Sequence, residues 1–298
     1  MPEASPSLLP TESRSARDPL SKRIRHGWIV EAVVIGVAAS AHDILRNALM
    51  GPAAVALRNA KALTSVERWL GIYHEQAVQH FFLNWPFVVG VWNFYYDTAH
   101  FLVPIGVAVY LYTKFPTRYT RMRNMFLILL FVTAPICWSQ LPITPPKFMP
   151  ERYGFVDTQV VYWNLGPQKP MAYGDDGEPR ADIIKYVGNI YGGMPSHHVS
   201  WSLWCVIAVW PTIRRRRFRP LLFGYPLLTL GAITVTGNHR FLDFAGSAVE
   251  VTVAYLLAIA IERGLTRRRA RPRAVLVPAA GTTRPQPSDA VGERELVS

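Results

Sequence analysis

Asp243 stands four residues after His239 in the segment TVTGNHRFLDFAG, Thr234 to Gly246. On a helix, residues four apart share a face. The carboxylate can then accept a hydrogen bond from one imidazole nitrogen and leave the other free to attack an electrophile. That is the orienting arrangement of a nucleophilic triad. The competing reading is a buried pair that only staples helices together. A second segment, GGMPSHHVSWSLW from Gly192 to Trp204, places Pro195 and Ser196 where a loop turns into a helix. The first N–H groups of a helix have no partners within it and carry a partial positive charge, which suits them to hold a phosphate. Ser196 is equally a residue type that caps a helix with its hydroxyl. His198 and His239 are 41 positions apart, enough for one bilayer crossing, the basic turn RRRRFR and one crossing back. Both motifs then return to one face. Two histidines, one with a carboxylate partner, meet there beside a helix start and offer nucleophile, proton donor and anion cradle.

The scaffold that must bring them together is membrane-embedded. Of 298 residues, 50% are hydrophobic and only 17% charged, which leaves too little polar surface for a soluble protein of this length. The apolar residues fall into runs of bilayer length rather than short alternating strands, which predicts an all-α, polytopic membrane bundle. Six transmembrane helices are expected, over about 28–45, 85–112, 122–141, 194–213, 220–237 and 241–261. Residues 64–83 mix charged and apolar residues at helical spacing and read as an interfacial amphipathic helix. Residues 1–26 and 264–298, rich in Pro and Arg, read as disordered cytoplasmic tails around a membrane-embedded domain at 27–263. The net charge of +12 is no sign of a nucleic-acid partner, because the basic residues flank the apolar runs. With the N-terminus cytoplasmic, the inside collects Lys22, Arg23 and Arg25, then Lys114, Arg118, Arg121 and Arg123, then Arg214 to Arg217 with Arg219, and finally Arg267 to Arg269. The His motifs fall on the other, extracytoplasmic face of what is expected to be a bacterial plasma membrane. Cys137 and Cys205 lie within apolar runs without metal-ligand spacing and read as packing residues.

PSHH followed by NHRFLD resembles the P-S-x-H and H-x-x-x-D signatures of the type 2 phosphatidate phosphatase superfamily. The resemblance is closer to its inositol-phosphorylceramide-synthase-like branch. It extends to NALMGPAAVALRNAKALTSVERWLGIYHEQAVQ, YYDTAHF and PITPPKFMPERYGFVDT, and so covers about 40–260. It implies a lipid phosphatase or headgroup phosphotransferase of the inositol-phosphate type that works through a phosphohistidine. His239 would be the nucleophile, Asp243 its orienting partner and His198 the proton donor to the leaving oxygen, with no metal and no cofactor. The partners would be a lipid phosphoester and either water or a hydroxyl acceptor. His197 takes the variable place. Two departures concern phosphate binding: no K-x6-R-P motif is present, and Ile233 stands where an arginine usually precedes the nucleophile. Transfer needs cationic or N–H partners for three phosphoryl oxygens. Ser196, Lys147 and Arg240 are the substitutes at hand, although Lys147 is also a plain loop lysine and Arg240 could instead snorkel to headgroups.

His42, Asp43, Asp97 and His100 are polar residues in or near the spans, suited to an interhelical network or to headgroup recognition. Trp85, Trp92, Trp138 and Trp163 read as interfacial or packing aromatics. A non-enzymatic transporter would also bury polar residues but should show internal inverted repeats, which are not evident. A metal hydrolase using His197, His198, His239 and Asp243 is open by residue type, though adjacent histidines rarely reach one ion.

Overall fold

The structure, a computed structural model, describes residues 19–159 and 189–270, with side chains from 27–159 and 189–265. The tails therefore lie largely outside it, as do Trp163 and the middle of the 142–193 connection.

The described chain is all-helical. α1 spans Pro19–Ala48, α2 Ala53–Trp69, α3 Glu75–Leu83 and α4 Pro86–Lys114. α5, Pro116–Ile128, continues through a π-helical turn, Leu129–Thr133, into α6, Ala134–Gln140. After short 3-10 turns come α7, His197–Val209, α8, Gly224–Val235, and α9, Phe241–Ala270. Pro86 and Pro116 open α4 and α5 at the first helical position, where a missing N–H costs nothing and φ is already helical. Four helical segments are long and apolar enough to cross a membrane: Gly27–Ala48, Pro116–Gln140, Arg216–Val235 and Phe241–Leu265. The other two expected crossings fall on α4 and α7. α4 has 29 residues but is made less apolar by Asn93, Asp97, His100 and its tyrosines. α7 has only 13 residues, prolonged by a 3-10 turn at Trp210–Thr212. Val37, Ile44, Leu102, Val249 and Leu256 are all exposed, an outer surface suited to hydrocarbon rather than water.

α7 sits centrally and packs on α4, α5, α8 and α9. Ala208, Ala254 and Ala258 are buried in this core, and their small side chains let α7 and α9 approach closely. Leu111, Met122, Met125 and Leu129 fill the remainder, and the Trp204 indole N–H donates to Met122 O at 2.9 Å. Cys205 lies in this core as well, a free thiol.

The two ends of the bundle differ in chemistry. At one end Arg121 pairs with Glu262 and Arg123 with Glu31, while Arg118 donates to the carbonyls of Ile207 and Ala208 near the close of α7. At the other end lie the starts of α7 and α9, and with them both histidine motifs.

The stretch 64–83 is not one helix. α2 stops at Trp69, Gly71 takes φ of 70° and α3 begins at Glu75. A positive φ suits glycine because it lacks a Cβ. The residues that made the stretch look interfacial face inward: Glu67, Glu75 and Gln79 are fully buried.

Candidate active site

The turn that carries His239 is built by the end of α8. Gly237, at φ of 67°, turns the chain so that the N–H groups of Asn238 and His239 both reach Ile233 O, at 3.0 and 3.2 Å. Any side chain at 237 would meet Gln79 Nε2 at 2.8 Å, so the left-handed turn and the close approach both require glycine. Gln79 is itself fixed, donating to Val156 O and Val235 O and accepting from Val156 N–H.

His239 is held through Nδ1. Gly193 O lies 2.8 Å away and Asp243 Oδ2 3.1 Å. Both partners are acceptors, so the ring proton belongs on Nδ1 and the lone pair on Nε2. Asp243 Oδ2 also accepts the Arg240 N–H at 3.0 Å, which fixes the carboxylate as well as the ring. The pair is almost wholly buried, His239 at 7% exposure and Asp243 at 0%.

Gly193 reaches this position through a short parallel bridge between Ile143 and Gly192. Its N–H donates to Ile143 O at 3.2 Å, and a Cβ there would stand 2.8 Å from that same oxygen. Gly193→Ala is therefore expected to destabilise the protein by about 1–3 kcal/mol and to draw the carbonyl away from His239. Thermal unfolding and kcat check this together, and wild-type values of both would contradict the close approach.

At the start of α7, Ser196 is extended and makes no cap bond with its hydroxyl. Its backbone is locked to α9 instead: its N–H donates to Ser247 Oγ at 2.9 Å, and that Oγ lies 2.7 Å from Asp243 O and 3.1 Å from Ser196 O. The Ser196 hydroxyl is buried with no hydrogen-bond partner. The capping reading thus gives way to an oxygen left over beside the helix start, where the first N–H groups are also open.

The rings of His198 and His239 have centroids 6.0 Å apart. That is too far for direct ring contact but within the span of a phosphoryl group. Tyr96 and His100 stack on His198 at 4.0 and 3.9 Å. Two rings at such distances cannot share a face, so His198 is sandwiched between them. A small cavity lined by Tyr95, Tyr96, His100, His198 and Thr229 adjoins it. His197 turns to a different group, with Trp138 at 4.5 Å and His42 at 4.9 Å. His42 in turn bonds Leu130 O in the π-helical turn.

The cations divide. Arg240 is 2% exposed and does not snorkel; one guanidinium N–H donates to Thr144 O at 2.9 Å, while Nη2 is buried without a partner. Lys147 holds Gly237 through its backbone N–H at 2.8 Å. Its ammonium sits on Gln159 Oε1 at 2.7 Å and near Asp157 at 3.4 Å. Gln159 passes the network on to Asp97 at 2.9 Å, the interhelical use of Asp97. Asp43 pairs with Arg46 at 3.1 Å. Among the described residues no three His, Cys, Asp or Glu side chains gather closely enough to hold a metal ion.

This constellation joins a P-S-H-H helix start to an H-x-x-x-D helix start. A family model for the PAP2 superfamily matches residues 61–257, from α2 into α9, and so takes in both motifs. The chain belongs to the PAP2 (type 2 phosphatidate phosphatase) superfamily. Neither the curated proteins nor the solved structures give a significant match. PAP2 phosphatases act on lipid phosphoesters with water, and membership together with the apolar helices points to a phosphatase-type lipid enzyme of the membrane. In this PAP2 chain the spacing of the motifs brought His198, His239, Asp243, Ser196 and Arg240 into view. Gly193, Ser247, Tyr96, Glu67 and Glu75 escaped it because their partners are remote in sequence. The Gly192–Gly193 pair directly before the Pro-Ser turn was the one local hint.

Proposed function

We propose that this PAP2 protein is an integral membrane lipid phosphatase that passes the phosphoryl group through a phosphohistidine on His239. The observation that carries this reading is the pair of acceptors that hold Nδ1 of His239, with the His198 ring 6.0 Å away. Nε2 of His239 attacks phosphorus, the ester P–O bond breaks, and protonated His198 gives its proton to the departing lipid oxygen. Water then attacks the phosphohistidine, His198 takes its proton, the P–N bond breaks and inorganic phosphate leaves. An alcohol in place of water would make the same cycle a headgroup phosphotransferase. The first-turn N–H groups of α7, the Ser196 hydroxyl and Arg240 Nη2 bind the phosphoryl oxygens, and Lys147 adds positive charge at the rim.

The basic residues at the opposite end of the bundle support an extracytoplasmic site with cytoplasmic termini. α4 and α7 complete six crossings in this arrangement, and the short α7 is tolerable because protein surrounds it.

Purified protein mixed with a lipid phosphate labelled on phosphorus, and quenched within one turnover, should carry acid-labile label that is absent from His239→Ala. Repeating the reaction with polyol acceptors separates released phosphate from a labelled transfer product. Label that survives in His239→Ala would overturn the mechanism. Arg240→Lys keeps the charge but loses the two-pronged donor. It should lower kcat/KM by about 10- to 100-fold, as expected for removing an oriented charge-assisted contact. Steady-state kinetics at equal folded protein checks this, and an unchanged value would remove Arg240 from the cradle.

A further inference from the structure

Two carboxyl groups that the proposed reaction does not use are buried against the two residues that follow Arg240. Glu67 comes from α2 and Glu75 from α3, and both are at 0% exposure. Glu67 Oε1 accepts the Leu242 N–H at 3.0 Å, and Glu75 Oε1 accepts the Phe241 N–H at 2.8 Å. These are first-turn N–H groups of α9, which have no partner inside the helix. Side chains usually cap such groups from the adjoining turn; here they are capped from two other helices.

Each carboxyl has a second oxygen, and Oε2 of both residues is buried with no hydrogen-bond partner. The two side chains nevertheless lie within hydrogen-bonding reach of each other. Two ionised carboxylates have no hydrogen to share, whereas one proton makes them a donor and an acceptor. The charged groups around the pair are Arg240 from the nucleophile's turn and Arg68 from the end of α2, with Tyr73 from the α2–α3 turn beside them.

We infer that Glu67 and Glu75 share one proton and together act as positioning residues that hold the His239–Arg240 turn and keep the Arg240 guanidinium free for the phosphoryl group. The inference rests on the reading of Arg240 as a phosphate ligand. With one proton the pair carries a single negative charge, balanced by Arg240. With none it carries two, which draws the guanidinium back and repels an incoming phosphate.

Burial pushes the Glu67 carboxyl up to about 8, and the neighbouring Glu75 adds to the rise, against the Leu242 N–H and Arg240. The folded state therefore favours the bound proton. Its contribution to stability is full below the ordinary carboxylate range, shrinks as pH rises and is gone once pH has passed about 8. Activity is expected to fall over the same alkaline range.

The test uses the full-length protein in detergent micelles with a synthetic lipid phosphate, across neutral to alkaline pH. Glu67→Ala should lower kcat by about 10- to 100-fold with KM little changed, the scale of a slight misplacement of catalytic groups. Glu67→Gln keeps an oxygen for the Leu242 N–H and supplies an amide N–H in place of the shared proton. It should recover kcat to within about threefold of wild type and lose the alkaline fall. An infrared difference spectrum at neutral pH should show a protonated-carboxyl band that disappears in both Glu67→Gln and Glu75→Gln. If the Ala variant does not fold, the Gln variants and the spectrum decide. An unchanged alkaline fall in Glu67→Gln, or no band lost, overturns the pairing. A band lost as expected in a protein that turns over no lipid phosphate leaves the pair standing and rejects the phosphatase reading instead.

Discussion

Turnover of a lipid phosphate by His239→Ala is expected to fall by about 10⁴-fold or more, the scale seen when a covalent nucleophile is removed from a site whose other parts remain. His239 is the proposed nucleophile. Its Nδ1 is committed to Gly193 O and Asp243 Oδ2, so only Nε2 can attack. Removing the ring also strands Gly193 O in a buried place and leaves Asp243 Oδ2 with the Arg240 N–H alone, which costs about 1–3 kcal/mol of stability. A thermal melt run beside the kinetics separates unfolding from lost chemistry. Free imidazole added to the variant should restore part of the turnover, because it can enter the space the ring leaves. Turnover within tenfold of wild type in a folded His239→Ala protein would end the phosphohistidine mechanism.

Asp243→Asn should come next, with kcat lowered by about 10³- to 10⁴-fold, as for the orienting aspartate of a triad. Asp243 Oδ2 serves both His239 Nδ1 and the Arg240 N–H. An amide can accept from both only while its oxygen takes the place of Oδ2. If it turns its N–H₂ toward the imidazole, the ring must carry its proton on Nε2 and the attacking lone pair is lost. If the oxygen stays in place, the negative charge that stabilises the developing cation on the ring is gone. Nitrogen chemical shifts of His239 distinguish the two cases. Equal kcat in Asp243→Asn and wild type would reduce the pair to a structural staple.

Mutations distant from this end should matter far less. Arg121 and Glu262 form an exposed pair, with side-chain exposures of 36% and 45%. Such pairs contribute about 0–1 kcal/mol, which makes Arg121→Ala a useful control for general damage.

Local spacing marked out the candidate site. The four-residue step from His239 to Asp243 brings the two together, but α9 starts only at Phe241, so the turn before the helix and not a shared helical face sets the ring against the carboxylate. Pro195–Ser196 marks where α7 begins. Apolar run length gave away the all-helical bundle because a bilayer demands that each crossing satisfy its own backbone. Spacing was blind to whatever depends on two remote segments meeting. The 64–83 stretch has the polar and apolar mix of a surface helix, but Gly71 breaks it and the bundle end turns Glu67 and Glu75 inward onto the N–H groups of Leu242 and Phe241. The hydroxyl of Ser196 could have been a cap or a ligand. Only the packing of Ser247 against its backbone decides that the hydroxyl is left over. By type and place Arg240 could reach for lipid, but Thr144 O holds it inside. Periodicity reports which residues share a face, whereas burial and hydrogen-bond partners are set by which faces close on one another, and that is a property of the folded chain.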